Sequence, residues 1–252
     1  IYRTEISERM LTIKQISKTY NNTQVLSDIS FSAEPSAITM LLGPSGSGKS
    51  TILRILNDLE YADSGTIEIN GKTLDPTKPH QSSDIGMVFQ KFNIFPHMRV
   101  RENIMFVLKQ ARGYTQKQAK KTADDLLEQY HIAKRADTCA GYISGGEQQR
   151  LAIARTLAIQ PHVICLDEPT SALDPYLTDH IAKIITNLSQ QGFTILLATH
   201  DAHVIQQLTG TIHLLRNGKI LESTHTNTIY GTSEDQAPYI KAFLGTGKDG
   251  NS

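Results

Sequence analysis

The stretch Gly43-Pro44-Ser45-Gly46-Ser47-Gly48-Lys49-Ser50 constrains this chain more than any other, because it fits the G-x-x-x-x-G-K-[ST] phosphate-binding loop. The apolar run Ala37 to Leu42 before it reads as a strand buried on both faces. Behind it, Ile52, Leu53, Ile55, Leu56 and Leu59 recur at helical spacing, so a helix begins near Lys49. Strand, glycine loop and helix together make the pattern mechanistic. Glycines let backbone N–H groups converge on an anion, and the helix N-terminus adds about half a positive charge. In that setting Lys49 neutralises β- and γ-phosphates, and the Ser50 hydroxyl ligates Mg²⁺.

The rest of the composition limits the alternatives. A chain of 252 residues can bury one large core, with or without an inserted subdomain. Basic and acidic residues balance at 25 each, which leaves no basic footprint for general nucleic-acid binding. No apolar run approaches the roughly 18 residues that span a bilayer, and the polar N-terminal stretch has no signal-peptide core. Cys139 and Cys165 fit no metal or redox spacing, and Cys165 reads as a small core residue. A reducing cytoplasm is the expectation.

Before the loop, Leu11 to Ile13 and Val25 to Phe31 read as strands around an Asn21-Asn22 turn. Tyr20 stands just before that turn. It is either a plain strand residue or a flat ring near the phosphate loop on which adenine stacks. After the first helix, Thr66 to Ile69 alternates as a half-exposed strand before an Asn70-Gly71 hairpin turn. Ile85 to Phe89 is a further strand and ends at Gln90, which on its own could be no more than a solvated polar residue.

From Lys91 to about Tyr142 the texture is helical. Thr115 and Gln118 form a capping box, followed by one apolar face through Ala119, Ala123, Leu126, Leu127 and Tyr130. This segment is expected to be a helical subdomain inserted into the nucleotide-binding fold. Ser144 and Glu147 open a further helix that stops at Pro161. It is either simply a well-capped helix or, because Gly145 and Gly146 leave its first turn bare, an anion site.

Val163 to Leu166 is a second fully apolar strand and runs into Asp167-Glu168-Pro169. Adjacent carboxylates there are costly unless a cation or hydrogen bonds offset them. In a phosphate-loop protein, Asp167 holds Mg²⁺ and Glu168 polarises the attacking water. Ser171 to Asp174 follows as a loop, and Leu177, Ile181, Ile184, Ile185 and Leu188 stripe a helix closed by Gly192. A third apolar strand, Phe193 to Ala198, leads into Thr199-His200-Asp201, which places His200 where a γ-phosphate partner belongs. His203 lies three residues on, but zinc would need a third ligand. A hairpin around Asn217-Gly218 closes the pattern, and the tail is polar.

Taken in order, Gly43–Ser50, Gln90, Ser144–Arg150, Asp167-Glu168, Ser171–Asp174 and His200 resemble the motif series of ATP-binding-cassette (ABC) ATPases. They look like that family's Walker A, Q-loop, signature, Walker B, D-loop and switch histidine, with Tyr20 at the aromatic A-loop position. The resemblance spans about residues 10 to 225. It departs only where Ile143 replaces leucine and Glu147 stands where glutamine is commoner. It implies an α/β fold: a P-loop NTPase (RecA-like) core with an antiparallel β subdomain and an inserted α-helical subdomain. Expected boundaries are 10–90 and 151–225 for the core, 91–150 for the helical part, and 226–252 for a partly flexible extension.

The resemblance also implies a site. ATP contacts would come from Tyr20, Gly43, Pro44, Ser45, Gly46, Ser47, Gly48, Lys49, Ser50 and Thr51, and from Ser144, Gly145, Gly146 and Asp174. Mg²⁺ ligation would come from Ser50, Gln90 and Asp167, and catalysis from Glu168, His200, Gln90 and Lys49. Two copies would sandwich two ATPs, each nucleotide touching Lys49 of one copy and the Ser144–Gly146 turn of the other.

The segment Val88 to Met98, continuing to Glu102-Asn103-Ile104, resembles the polar-amino-acid uptake branch of bacterial importers. That branch implies a peripheral ATPase at the cytoplasmic face of the inner membrane, docked on two transmembrane permease subunits served by a solute-binding protein. Phe92 and Phe95 would suit a permease contact or packing inside the helical subdomain. A lipoprotein-release or export ATPase is the competing reading, because Ser144-Gly145-Gly146-Glu147 occurs there too. Nucleic-acid-associated cassettes fit less well: only about fifty residues separate Gln90 from the signature, too few for a long coiled coil.

Overall fold

A computed structural model describes residues 10–79, 84–171, 175–229 and 237–245. The chain opens with β1 (Leu11–Tyr20), β2 (Thr23–Ala33) and β3 (Ile38–Leu42), then α1 (Lys49–Leu56), β4 (Ser64–Ile69), β5 (Lys72–Leu74) and β6 (Ile85–Val88). Helices α2 (Val100–Arg112), α3 (Gln116–Gln129) and α4 (Gly145–Ala158) follow. The chain then runs through β7 (Val163–Asp167), α5 (Pro175–Gln190), β8 (Thr194–Thr199), α6 (Ala202–Gln207), β9 (Thr211–Arg216) and β10 (Lys219–His225). Two short helices, α7 (Thr226–Ile229) and α8 (Pro238–Phe243), complete the described chain.

Two sheets result, a six-stranded one in the order β10-β9-β3-β8-β7-β6 and a four-stranded antiparallel one in the order β2-β1-β4-β5. In the larger sheet every pairing except β9 with β10 is parallel. Its central strands read as unbroken apolar runs because both faces are covered. Met40, Leu42, Ile164, Leu166, Ile195 and Leu197 face a core built with the helices. Their neighbours Leu41, Cys165, Leu196 and Ala198 face a second core, shared with α1 and the antiparallel sheet. Cys165 sits fully buried in that second core, which pushes its thiol up to about 12 and leaves it unreactive.

The first two strands are longer than their sequence suggests. The run β1 extends from Leu11 to Tyr20 because irregularities between Ile13 and Thr19 absorb the broken alternation. The turn at Asn21 and Asn22 has φ of 46° and 64°, the backbone form that two-residue hairpins require.

Register decides where the chemistry falls. Leu42 pairs with Thr199, Ala198 with Asp167, and Leu166 with Val88. The carboxyl ends of β3, β8, β7 and β6 therefore lie side by side. In an open parallel sheet that edge is where ligands bind.

The helical part packs α2 against α3 and both against α4, while α4 also packs on β6. The capping boxes at Thr115 and Ser144 both form. A division at residue 150 falls inside α4, which is one continuous helix from Gly145 to Ala158. Of the two aromatics after Gln90, Phe92 is buried core. Phe95 is half-buried and meets the exposed Phe106 edge-on at 5.2 Å. No helix among the described residues is long and apolar enough to cross a membrane.

On β9, His213 is buried against the Phe31 ring, with centroids 5.0 Å apart, and its Nδ1 lies 2.7 Å from Ser223 Oγ. Burial lowers its pKa to about 4. The folded protein thus keeps this imidazole neutral where the unfolded chain, at about 6.5, takes up a proton. Stability from this group is complete above about pH 6.5 and declines as pH falls toward 4. Between about pH 7 and pH 5, urea unfolding should lose about 2 kcal/mol more in the wild type than in His213→Leu.

Candidate active site

The phosphate loop leaves β3 at Leu42 and enters α1 at Lys49. A Cβ at Gly43 would sit 2.3 Å from the Leu215 carbonyl oxygen. At Gly48, with φ of 105°, it would sit 2.5 Å from a Leu26 methyl. Only glycine fits either place, and the loop is pressed against β9 on one side and β2 on the other. Ser47 N–H donates to the Pro44 carbonyl at 3.2 Å and closes the turn. The first N–H groups of α1 have no intrahelical acceptor, so they remain available for an anion.

Lys49 is only 5% exposed. Its ammonium donates to the carbonyls of Gly43 at 2.7 Å and Pro44 at 3.1 Å, and lies 3.6 Å from Glu168 Oε1. One turn on, Ser50 Oγ donates to Asp167 Oδ1 at 2.8 Å. That contact joins the loop to the end of β7. Burial raises the Asp167 carboxyl above its ordinary value and the Glu168 charge adds to this, while the Ser50 hydroxyl opposes it. A buried carboxylate with a hydroxyl at its side and a second carboxylate next in sequence suits an oxygen-ligated Mg²⁺.

Glu168 has φ of 47°, a backbone form uncommon outside glycine and typical of functional sites. Its Oε1 is shared between Lys49 and His200 Nδ1, the latter at 2.9 Å. Its Oε2 is buried without a hydrogen-bond partner. One oxygen is therefore oriented by two neighbours and the other is left to accept a proton. His200 stands first against Glu168, although the sequence pointed it toward a γ-phosphate.

Gln90 reaches the same corner from β6: its Nε2 donates to Ser171 Oγ at 3.1 Å, and Ser171 Oγ donates to the Glu168 carbonyl at 3.1 Å. The sequence places Ser171 at the start of the D-loop match, but nothing local marks it as the link between Gln90 and the Glu168 carbonyl. Thr170 and Asp201 form another unforeseen link at 3.1 Å, and Asp201 also caps α6. The nearest local signal is an aspartate placed just before a helix. Asp174 lies outside the described residues. His203 bonds Asp179 at 3.0 Å, with Gln207 on the same oxygen, which ties α6 to α5.

Tyr20 ends β1 beside the first turns of α1. Burial raises its pKa, and Glu60 and Thr51 are its hydrogen-bonding neighbours. The Lys18 ammonium lies 4.9 Å from the ring centroid, so one face carries a cation. The structure thus brings Tyr20, Lys49, Ser50, Thr51, Gln90, Asp167, Glu168 and His200 into one region.

Ser144, Gly145 and Gly146 stand apart from it. Ser144 N–H donates to Glu147 Oε2 at 2.8 Å, and Arg135 Nε donates to Glu147 Oε1 at 2.8 Å. Burial pushes the Glu147 carboxyl up, yet Arg135 and the Ser144 N–H and hydroxyl together hold it below its usual range. The side-chain hydrogen bonds of Ser144 and Glu147 run to each other and to Arg135, and none of these reaches the phosphate loop of the same chain.

A phosphate loop, a carboxylate pair and a histidine at adjacent parallel-strand ends match the ABC transporter family, whose sequence profile covers residues 26–171. The chain belongs to that family. It is similar to the glutamate transport ATP-binding protein GluA of Corynebacterium glutamicum, at 36% identity across 94% of this chain and 98% of that protein. The glutamine transport ATP-binding protein GlnQ of Escherichia coli is 38% identical across 93% and 98%. Among solved structures, a dimeric ATP-binding cassette in a post-hydrolysis state, bound to ADP and Pi, superposes with a TM-score of 0.75. It is 30% identical and covers 85% of this chain and 98% of its own.

Replacing Lys49 with Ala removes a charge-assisted donor to phosphate and the nearest cation to Glu168. Titration with fluorescent ATP should give binding weaker by about 10- to 150-fold. Far-UV circular dichroism should be unchanged.

Proposed function

We propose that this chain is the ATP-hydrolysing subunit of a bacterial importer that takes up a polar amino acid through separate membrane permease subunits. The observation that carries the ATPase reading is Glu168: one oxygen anchored by Lys49 and His200, the other buried and unpartnered, beside a phosphate loop. The transport reading is supported by the names of its relatives, which are glutamate and glutamine transport proteins matched over nearly their full length.

On this reading the phosphates of ATP lie on the N–H groups at the start of α1, from Gly46 to Thr51. Lys49 exchanges its loop carbonyls for phosphate oxygens. Ser50 and Asp167, with Gln90 from the neighbouring strand end, would hold Mg²⁺. That ion would neutralise charge on the β- and γ-phosphate oxygens. Glu168 accepts the proton of the attacking water, and His200 keeps its carboxylate aimed. Tyr20 offers a ring face to adenine.

Among the described residues the side-chain hydrogen bonds of Ser144 and Glu147 stay local, which fits a second copy supplying Ser144, Gly145 and Gly146, with Asp174, to each ATP. The helical region, about 91–150, would carry the movement from Gln90 to the permease, and the subunit would sit peripherally on the cytoplasmic face of the membrane. A solute-binding protein would then choose the amino acid.

Glu168→Gln should lower ATP turnover by about 10²- to 10⁴-fold while leaving ATP binding intact, and should accumulate an ATP-dependent dimer on gel filtration. In cells lacking the gene, uptake of one polar amino acid or a related group should fall and be restored by wild type but not by Glu168→Gln. Near-normal turnover in the variant would remove Glu168 from its role. Normal uptake of every polar amino acid would remove the importer reading.

A further inference from the structure

The signature turn contains a conflict of charge. Glycines at its first two helical positions leave N–H groups suited to an anion. The third position carries Glu147, whose carboxylate is also favoured by the helix N-terminus and completes the capping box. An incoming phosphate therefore meets a negative charge within a few ångströms of where it must bind. Glutamine at this position could make the same box without that charge.

The carboxylate is tightly held. Glu147 Oε2 accepts from Ser144 N–H at 2.8 Å and from Ser144 Oγ at 3.1 Å, while Oε1 accepts from Arg135 Nε at 2.8 Å. Arg135 comes from a separate short turn, Ala133–Arg135, between α3 and the signature. About half of its side chain is exposed, whereas that of Glu147 is 17% exposed. The cation thus lies on the open side of a largely covered carboxylate.

We propose that Arg135 is a positioning residue for hydrolysis: it neutralises Glu147 so that the Ser144–Gly146 turn can receive the phosphate of an ATP held by a second copy. The proposal rests on the two-copy reading above. Without Arg135, Glu147 repels the phosphate with its full charge; the Ser144 hydroxyl, which donates to Glu147 Oε2 here, must turn to reach the phosphate in either case.

The test is ATP turnover against ATP concentration for the wild type, Arg135→Gln, Glu147→Gln and the double variant. Arg135→Gln alone should be slower at low ATP by about tenfold. That deficit should shrink as ionic strength rises, because salt partly screens the approach of the phosphate from solvent toward the Glu147 charge. Glu147→Gln and the double variant should both lie within about twofold of the wild type, and Arg135→Lys should recover most of the rate.

An equal loss from Arg135→Gln in both backgrounds would make Arg135 a merely structural residue and overturn the proposal. So would normal turnover in Arg135→Gln. Gly146→Asp separates the two layers. If it retains full turnover, the two-copy reading falls and takes this proposal with it. If it is inactive while Arg135→Gln is normal, only the proposal about Arg135 falls.

Discussion

The site depends on one buried ammonium. Lys49 is nearly inaccessible, and it is held there by two loop carbonyls and by the carboxylate of Glu168. A lysine charge in such a place must be compensated, and so must the glutamate. Each meets the other's need, provided that β3 and β7 end at the same level. The sheet register supplies that condition: β8, between them, aligns Leu42 with Thr199 and Asp167 with Ala198. Strands buried along their whole length fix this register because they have no solvent face, and a slip would move buried side chains to the wrong core. Packing deep in the sheet thereby sets the spacing between a buried cation and a buried carboxylate.

The same economy joins the site to the helical region. The segment after Gln90 turns sharply, with φ of 58° at Phe92 and 45° at Asn93. Arg155 of α4 holds that turn through the carbonyls of Asn93 at 2.7 Å and Phe92 at 3.2 Å. From the other side, the buried Asn103 of α2 accepts from Phe95 N–H at 2.8 Å and donates to the Phe95 and Arg99 carbonyls. The segment is thus tied to α2 and α4 while Gln90 is tied to Ser171 near the carboxylates. A change at the phosphate end has a continuous polar route into both helices.

Much of this is legible in the sequence. The glycine loop, the three apolar strands and the carboxylate pair each carry a local physical signature, and their order points to one family. The capping boxes at Thr115 and Ser144 were equally readable, because a cap is settled within four residues. What was not legible depends on distant partners. Nothing local separates Phe92, which enters the core, from Phe95, which stays half-buried beside Phe106. The contact of Ser171 with Gln90 joins residues 81 positions apart, and that of Ser50 with Asp167 joins residues 117 apart. His200 was placed at the right strand end, but its first partner, Glu168, is a tertiary fact. The length of β1 is not legible in the sequence, because its irregularities break the alternation by which a strand is recognised.

The signature turn illustrates a different limit, since its meaning is incomplete within one chain. Helix α4 begins with glycines that forfeit about 1 kcal/mol each in helix propensity. The capping box recovers part of this by satisfying Ser144 N–H, but it satisfies only some of the first-turn donors. Better helix formers at positions 145 and 146 would favour the helix by about 1 kcal/mol each in propensity. The weak first turn makes sense where its N–H groups face a ligand that another molecule brings. The Glu147 carboxylate, tied to Arg135, shows that this turn is electrostatically organised as well as open. Stability and recognition thus make opposite demands on the same few residues, and the sequence keeps the glycines.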